Sequence, residues 1–525
     1  MSDSPFLSIL KYISTFHSPG SGGRLVIQII DISSGGCMAL STVYNVLDFG
    51  AEGNGRVSDT AAVQEAIDTC AAEGGGVVLF PSGCSFLIGT IYLESHITIH
   101  VAENAEILGS RDLKDYGRDT GSSPYHPEPL NLCLIYAREQ NGITFTGRGT
   151  IDGGFREDFQ SRHDDPSADE SMQRPMLIRL EGCRDIFMEN LTLKGAFSWC
   201  VHIRYSTYVR LRGLKVLNDR QDGFNIESSR SITISDCILH CGDDGIALTT
   251  SHRDKPLTDL CITNCIISSR WAAFRIGPLS KGRFERILMS NCVLRDCGGG
   301  GIKIGMFEGS SVSNCIFSSI VMENVTAPVL MMIAQWTDIG SHEAEPEMMP
   351  AGEISNIKFS ELIIEAHAGP IHPWDRKIYN HDEIQDFLHR PDRNSTIFLH
   401  GHRDGVMKHI SFQNIQLTLP GGGEAVPSPL ENLIDMHEIN IREHGYWTDD
   451  KTIWGIPVSS AIFGRHLENL RIQDMDITHR IPENRPLFAF ADCRTVVLRN
   501  NRGENHEISP GDILQQNCVN LLTSD

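Results

Sequence analysis

Hydrophobic and polar positions alternate along short stretches of this chain, and the stretches return at a nearly constant interval. The pattern apolar, any, apolar, any, Asn/Asp or small, apolar occurs as IFMENL at 186–191, VRLRGL at 209–214, ITISDC at 232–237, LCITNC at 260–265 and ILMSNC at 287–292. It returns as CIFSSI at 315–320, IKFSEL at 357–362, ISFQNI at 410–415 and LRIQDM at 470–475, with a partial copy from Val496. Successive starts lie 23, 23, 28, 27, 28, 42, 53, 60 and 26 residues apart. Alternation marks strands, and 23–28 residues make one coil of a solenoid, too few for a strand plus a full helix. The spacing predicts an all-β fold, a right-handed single-stranded parallel β-helix over residues 44–510. The three long intervals predict loop insertions at about 333–353, 366–406 and 421–465, whose Trp336, Trp374, Trp447 and Trp454 are expected to wall a cleft. An N-terminal capping helix is expected from Asp59 as N-cap to Glu73, with Ala62, Val63, Ala66, Ile67 and Cys70 as its apolar stripe and Gly74–Gly76 as its stop. It would close the open end of the solenoid before the strand at 77–80. Residues 1–43 match nothing downstream and read as a disordered extension, and residues 511–525 read as a tail.

A second strand series runs in step with the first: VHI at 201–203, FNI at 224–226, IAL at 246–248, FRI at 274–276 and IKI at 302–304. The apolar flanks point inward, so His202, Asn225, Ala247, Arg275 and Lys303 form one outward column. Two residues upstream of these strands, Asp222-Gly-Phe aligns with Asp244-Gly-Ile. Asp222 and Asp244 then stand on neighbouring coils, about 5 Å apart at the backbone, and Asp243 adjoins them. One Asp-Gly is ordinary turn chemistry; two in register, with a third Asp and a basic column alongside, are expected to form an open catalytic patch. Three carboxyls this close cannot all ionise freely, so at least one pKa should rise. A protonated carboxyl beside ionised ones is what glycoside hydrolysis needs. Arg275 and Lys303 are expected to bind a uronate carboxylate or sugar hydroxyls near the cleaved bond, with His202 and Asn225 completing the substrate-binding set. The same carboxylates would also suit calcium, with Arg275 or Lys303 as the base of a polysaccharide lyase, and a β-helix that binds carbohydrate without cleaving it is a third reading.

Composition narrows the partners. The net charge of −22 repels polyanions, so nucleic acid is not expected as a partner. No apolar run reaches the ~20 residues needed to cross a bilayer, so no membrane partner is expected. The 15 cysteines contain no CxxC pair, which argues against zinc and against a disulfide framework. Reduced thiols and the lack of a recognisable signal peptide lead us to expect a cytoplasmic protein, or a secreted one if the true start differs. Cys237, Cys265 and Cys292 occupy one station of successive coils and are expected as a buried stack behind Asp236, Asn264 and Asn291. No cofactor and no metal are expected.

The opening YNVLDFGAEGNGRVSDTAAVQEAIDTC with GGGVVLFPSG, and the run QDGFNI followed by SRSITISDCILHCGDDGIAL, resemble glycoside hydrolase family 28, the polygalacturonase family, from about Tyr44 to Arg499. The resemblance implies a right-handed β-helix and an inverting acid/base hydrolysis of a pectin-derived or related oligosaccharide. Asp243 resembles the family's general acid, and Asp222 and Asp244 the pair that activates water. The chain departs from the family's pattern at three places. Trp271-Ala272-Ala273 stands for Gly-His-Gly, Lys303-Ile304-Gly305 for Arg-Ile-Lys, and Arg220 for Asn.

Overall fold

A computed structural model of the chain describes residues 42–117, 132–154, 174–218, 220–335, 348–366, 396–423, 458–504 and 506–524. Before them it describes only the backbone of two short paired strands, Thr15–Phe16 and Val26–Ile27. Of the expected extension, residues 42 and 43 are described and Val43 opens the strand Val43–Asn45; its other residues and all four loop tryptophans lie outside the described residues.

The two repeat series become the two ladders of a parallel β-helix. In the first, Ile186, Val209, Ile232, Leu260, Ile287, Cys315, Ile357, Ile410, Leu470 and Val496 stack one over the next in unbroken register. The second forms a 13-stranded sheet among the described residues. Its central strands are β1 (Cys133–Arg138), β2 (Met176–Glu181), β3 (Val201–Arg204), β4 (Phe224–Glu227), β5 (Ile246–Thr250), β6 (Ala272–Ser280), β7 (Gly300–Met306) and β8 (Val329–Ile333).

Register makes like stack on like. Phe317, Phe359 and Phe412 lie in one inward column, their rings 5.1 and 4.8 Å apart. The corners need left-handed backbone, which Asn and Asp tolerate best: Asn190, Asp236, Asn264, Asn291 and Asn414 all have φ near +55 to +61°. The side chain of Asn264 donates to that of Asp236 on the preceding coil at 3.3 Å. The expected thiol stack Cys237, Cys265 and Cys292 is buried just beyond these corners.

The capping helix spans Thr60–Ala72 and buries Val63, Ala66, Ile67 and Cys70 over the first coil. Asp59 precedes it, but its carboxylate does not cap the helix: it accepts from the backbone nitrogens of Glu52 and Gly53 at 2.6 and 3.2 Å. The chain's entry loop claims the oxygens a cap would have used. The expected tail is also corrected. Ile513–Gln516 pairs with Phe488–Ala491, and Val519–Ser524 with Arg494–Arg499, so the β-helix runs on to Ser524. The last strand is mostly exposed, so it lacks the apolar alternation that reveals the earlier coils.

Phe359→Ala, at the centre of the ring stack, should cost about 3–5 kcal/mol, read as an earlier midpoint in chemical denaturation. An unchanged midpoint would refute the stack as a main support of the core.

Candidate active site

The outward column follows the expected register: His202 pairs with Asn225, Asn225 with Ala247, Ala247 with Arg275 and Arg275 with Lys303. Asp222 and Asp244 come just ahead of β4 and β5. Each is followed by glycine for a reason other than turn geometry. A Cβ on Gly223 would lie 2.6 Å from the carbonyl of Gly245, and one on Gly245 2.6 Å from that of Ala273. Neither glycine has positive φ. The glycines let consecutive coils close up, and the carboxyls are brought together as a result. Asp222, Asp243 and Asp244 each offer an oxygen within 4.8 Å of the others.

Their surroundings differ. Asp222 accepts from Asn225 Nδ2 at 2.9 Å. Asp244 accepts from the backbone nitrogen of Ala272 at 3.2 Å and pairs with Arg275 Nη1 at 3.3 Å. The backbone N–H of Ala272 is what the trio uses at that place. The carbonyl of Asp243 is held by Ser269 Oγ, which also accepts from Trp271 N. Lys303 Nζ lies 4.4 Å above the Trp271 ring.

The patch is less open than the repeat implied. Asp222 and Asp244 are only 5% and 3% exposed, and Asp243 alone is half-buried. Arg275, Lys303, Asn225 and His202 are buried as well. Along the outward face Trp271 lies against Lys303, and Trp199 meets His202 edge-on at 4.9 Å. His202, read from sequence as a surface residue, is fully buried and bonded to Glu227 at 3.3 Å.

Burial, then the charges of Asp243 and Asp244, push the Asp222 carboxyl well above the usual carboxylate range, against the pull of Asn225 and Arg275. Burial lowers the pKa of Arg174, an effect opposed by the nearby charge of Asp243. Arg220 falls to about 10, through burial and then repulsion from Arg174. Sequence reasoning missed Arg174 as a neighbour of the trio because it belongs to no repeat copy.

The raised Asp222 carries a stability cost. A carboxyl whose folded pKa is raised binds its proton more tightly when folded. Its contribution is complete below the unfolded value of about 4 and is lost as pH rises through the folded value. Asp222→Asn keeps an acceptor for Asn225 and removes the charge. It should therefore melt higher than the wild type at pH 7, by ~2 °C or more, with the gap closing below about pH 4. A lower melting temperature at pH 7 would contradict this electrostatic picture.

Residues 122–366 match the model of Glycosyl hydrolases family 28, and residues 43–102 that of rhamnogalacturonase A/epimerase, pectate lyase-like. A probable polygalacturonase from Vitis vinifera is 26% identical over 394 residues, covering 69% of this chain and 76% of the relative. The solved family 28 exopolygalacturonase of Yersinia enterocolitica superposes with a TM-score of 0.62 at 15% identity, over 92% of this chain and 80% of that one. The polygalacturonase of Erwinia carotovora superposes with a TM-score of 0.53 at 15% identity, over 69% and 90%. Together with the carboxylate trio on stacked coils, these matches make the chain similar to glycoside hydrolase family 28 and to its polygalacturonases.

Proposed function

We propose that this glycoside hydrolase, which acts on pectin-type substrates, cleaves its O-glycosidic bond by inverting acid/base chemistry, with Asp243 as general acid and Asp222 and Asp244 activating water. The observation that carries this reading is the trio itself: three carboxyl oxygens within 4.8 Å, with burial and mutual repulsion raising the Asp222 carboxyl well above the usual range. Asp243 is the member that reaches the surface, so the leaving oxygen is protonated there. The buried pair holds the water. The trio shares its protons: in the reactive state the proton sits on Asp243, Asp244 is held by Arg275 and the Ala272 N–H and orients the water, and Asp222, whose carboxyl is raised, is the stronger base once ionised. One proton leaves Asp243 and one arrives from water, so the trio ends the cycle with as many protons as it began. The three titrate as a unit, and the pH profile reports the unit rather than single residues.

A calcium-dependent lyase is the second reading, because the same trio could surround a divalent cation. Against it stands the guanidinium already paired with Asp244.

Around the trio, Arg174, Arg220, Arg275 and Lys303 gather cationic charge that suits a uronate carboxylate. Lys303 and Arg275 face it from one column, with Asn225 and His202 on the other side of the trio.

Asp243→Asn should lower turnover about 10²–10⁴-fold, with saturated sugar ends as products and no sensitivity to chelators. Unsaturated products absorbing in the near ultraviolet would decide for the lyase, and near-wild-type turnover would remove Asp243 from the mechanism. Lys303→Ala should weaken uronate substrates about tenfold more than neutral ones. Arg275→Ala should in addition move the pH profile, because it leaves Asp244 without its ion pair; an unmoved profile would mean that this pair does not tune the trio.

A further inference from the structure

The coils that lead into the trio have a second, solvated face. Past the corners that follow β3 and β4, the chain continues as the strands Thr207–Arg212 and Arg230–Ser235. With Arg184–Glu189 they form three parallel neighbours in register. An open groove of about 290 Å³ lies on them, lined by Asp185, Tyr208, Val209, Arg210, Ser231 and Thr233. Asp185, Tyr208, Arg210 and Thr233 are exposed, so a ligand reaches their atoms directly.

Tyr208 is a residue the fold does not ask for. It stands at a corner station where the backbone is left-handed in coil after coil. Asp185, Ser231, Asp259, Asn314 and Asn356 hold φ between +55 and +61° there, and Tyr208 has +61°. Asparagine and aspartate tolerate this conformation best, whereas a bulky side chain is strained in it. Burial does not repay the strain, because Tyr208 is 46% exposed. Its hydroxyl makes no hydrogen bond among the described residues. Arg286, also bulky at this station, is accounted for by its pairing with Asp259 and Glu285. A strained, exposed tyrosine with no such engagement points to binding.

The charge of the groove runs against that of the chain. The three strands carry Arg184, Arg210, Arg212 and Arg230 against two carboxylates, Asp185 and Glu189, in a protein of net charge −22. The guanidinium of Arg184 stands over the Tyr208 ring, 4.3 Å from its centre. Arg230 donates to Thr207 Oγ1 at 3.3 Å. Arg210, on the groove wall, has neither ion pair nor hydrogen bond among the described residues. Arg184, Arg210 and Arg230 come one per coil, so positive charge recurs at steps of about 4.8 Å across the groove. A chain of uronate units offers what these groups lack: carboxylates for the guanidinium groups, an apolar ring face for tyrosine, and hydroxyls for Asp185, Ser231 and Thr233. Apolar surface in the groove is confined to Tyr208 and Val209, too little for a protein partner.

We propose that this groove is a second saccharide site, separate from the catalytic patch, which holds the interior of an anionic pectic chain. Tyr208 packs on a sugar ring and Arg210 takes a uronate carboxylate. The inference rests on the hydrolase reading for the class of its ligand. A chain held here stays close to the trio on the adjoining face of neighbouring coils, which raises its effective concentration at the site of cleavage. Because the groove is open, it needs no chain end.

The test compares the full-length wild type with Tyr208→Asn and Arg210→Gln on polygalacturonate and on the shortest oligogalacturonide that the wild type cleaves. Each variant should raise KM on the polymer about five- to tenfold, with kcat unchanged and both parameters unchanged on the short substrate. Tyr208→Asn should melt no lower than the wild type, because asparagine suits the left-handed station; a loss of polymer affinity then has no origin in unfolding. An unchanged polymer KM in both variants would overturn the proposal. So would a loss that is equal on the two substrates. If the wild type cleaved neither substrate, the hydrolase reading would fail by itself. Retention on beads carrying polygalacturonate would then decide the groove, with galactan beads as the neutral control. The groove requires the wild type to be retained more strongly than either variant, and on polygalacturonate only. Equal retention of all three proteins, or of the wild type on both polymers, would overturn it.

Discussion

Parallel pairing in strict register is the constraint from which the rest of this molecule follows. Each coil places a residue directly over its counterpart one strand spacing away, about 4.8 Å. Where the station faces inward, the consequence is cohesive: isoleucine over valine, phenylalanine over phenylalanine, cysteine over cysteine. Where it faces outward and carries charge, the same spacing forces electrostatic consequences that a looser fold would avoid. Asp222 and Asp244 are near neighbours because they occupy equivalent places on adjacent coils, and the glycine after each removes the Cβ that would hold the coils apart. Burial then turns proximity into chemistry, since carboxyls denied water cannot all remain ionised.

The outward face of the second sheet is thereby divided into three zones by nothing more than which residue each coil supplies. A charge-balanced polar stretch, where Arg179 and Arg204 face Glu181 and Glu227, precedes the trio, a cation-rich stretch surrounds it, and an apolar block of Leu330, Phe398 and Phe463 follows Lys303. The site differs from the family's pattern in a way this geometry absorbs. Where Ala272 replaces histidine, a backbone N–H still reaches Asp244. Where Gly305 replaces lysine, the neighbouring Lys303 remains, packed on the Trp271 that the chain also substitutes.

Much of this was legible in the sequence because a β-helix writes its register as a period. Every start in the first series, from Ile186 to Val496, proved to be a true register partner of the next, and so did Val201, Phe224, Ile246, Phe274 and Ile302 in the second. The aspartates came together for the same reason. What the period does not contain stayed hidden. It says which side of a strand faces out but not what covers that side, so His202, Asp222 and Asp244 looked exposed and are buried. Arg174 contributes through a tertiary contact that no repeat copy encodes; Glu227, the register partner of Arg204, follows directly on the FNI copy. Arg179 could have been found by carrying the column one coil further back through MLIRLE at 176–181. The last coil, from Ile513 to Ser524, lacks the apolar alternation and was taken for a tail.

The central claim is that Asp243 protonates the leaving oxygen while Asp222 and Asp244 together deliver water, leaving no room for a covalent sugar–enzyme intermediate. The configuration of the first sugar released tests it most directly. Proton NMR of an oligosaccharide digest, recorded before mutarotation, should show the freed anomeric centre with the configuration opposite to that of the bond cleaved. A product that first appears with the configuration retained would mean that one of the three aspartates attacks the sugar itself, and would contradict the account.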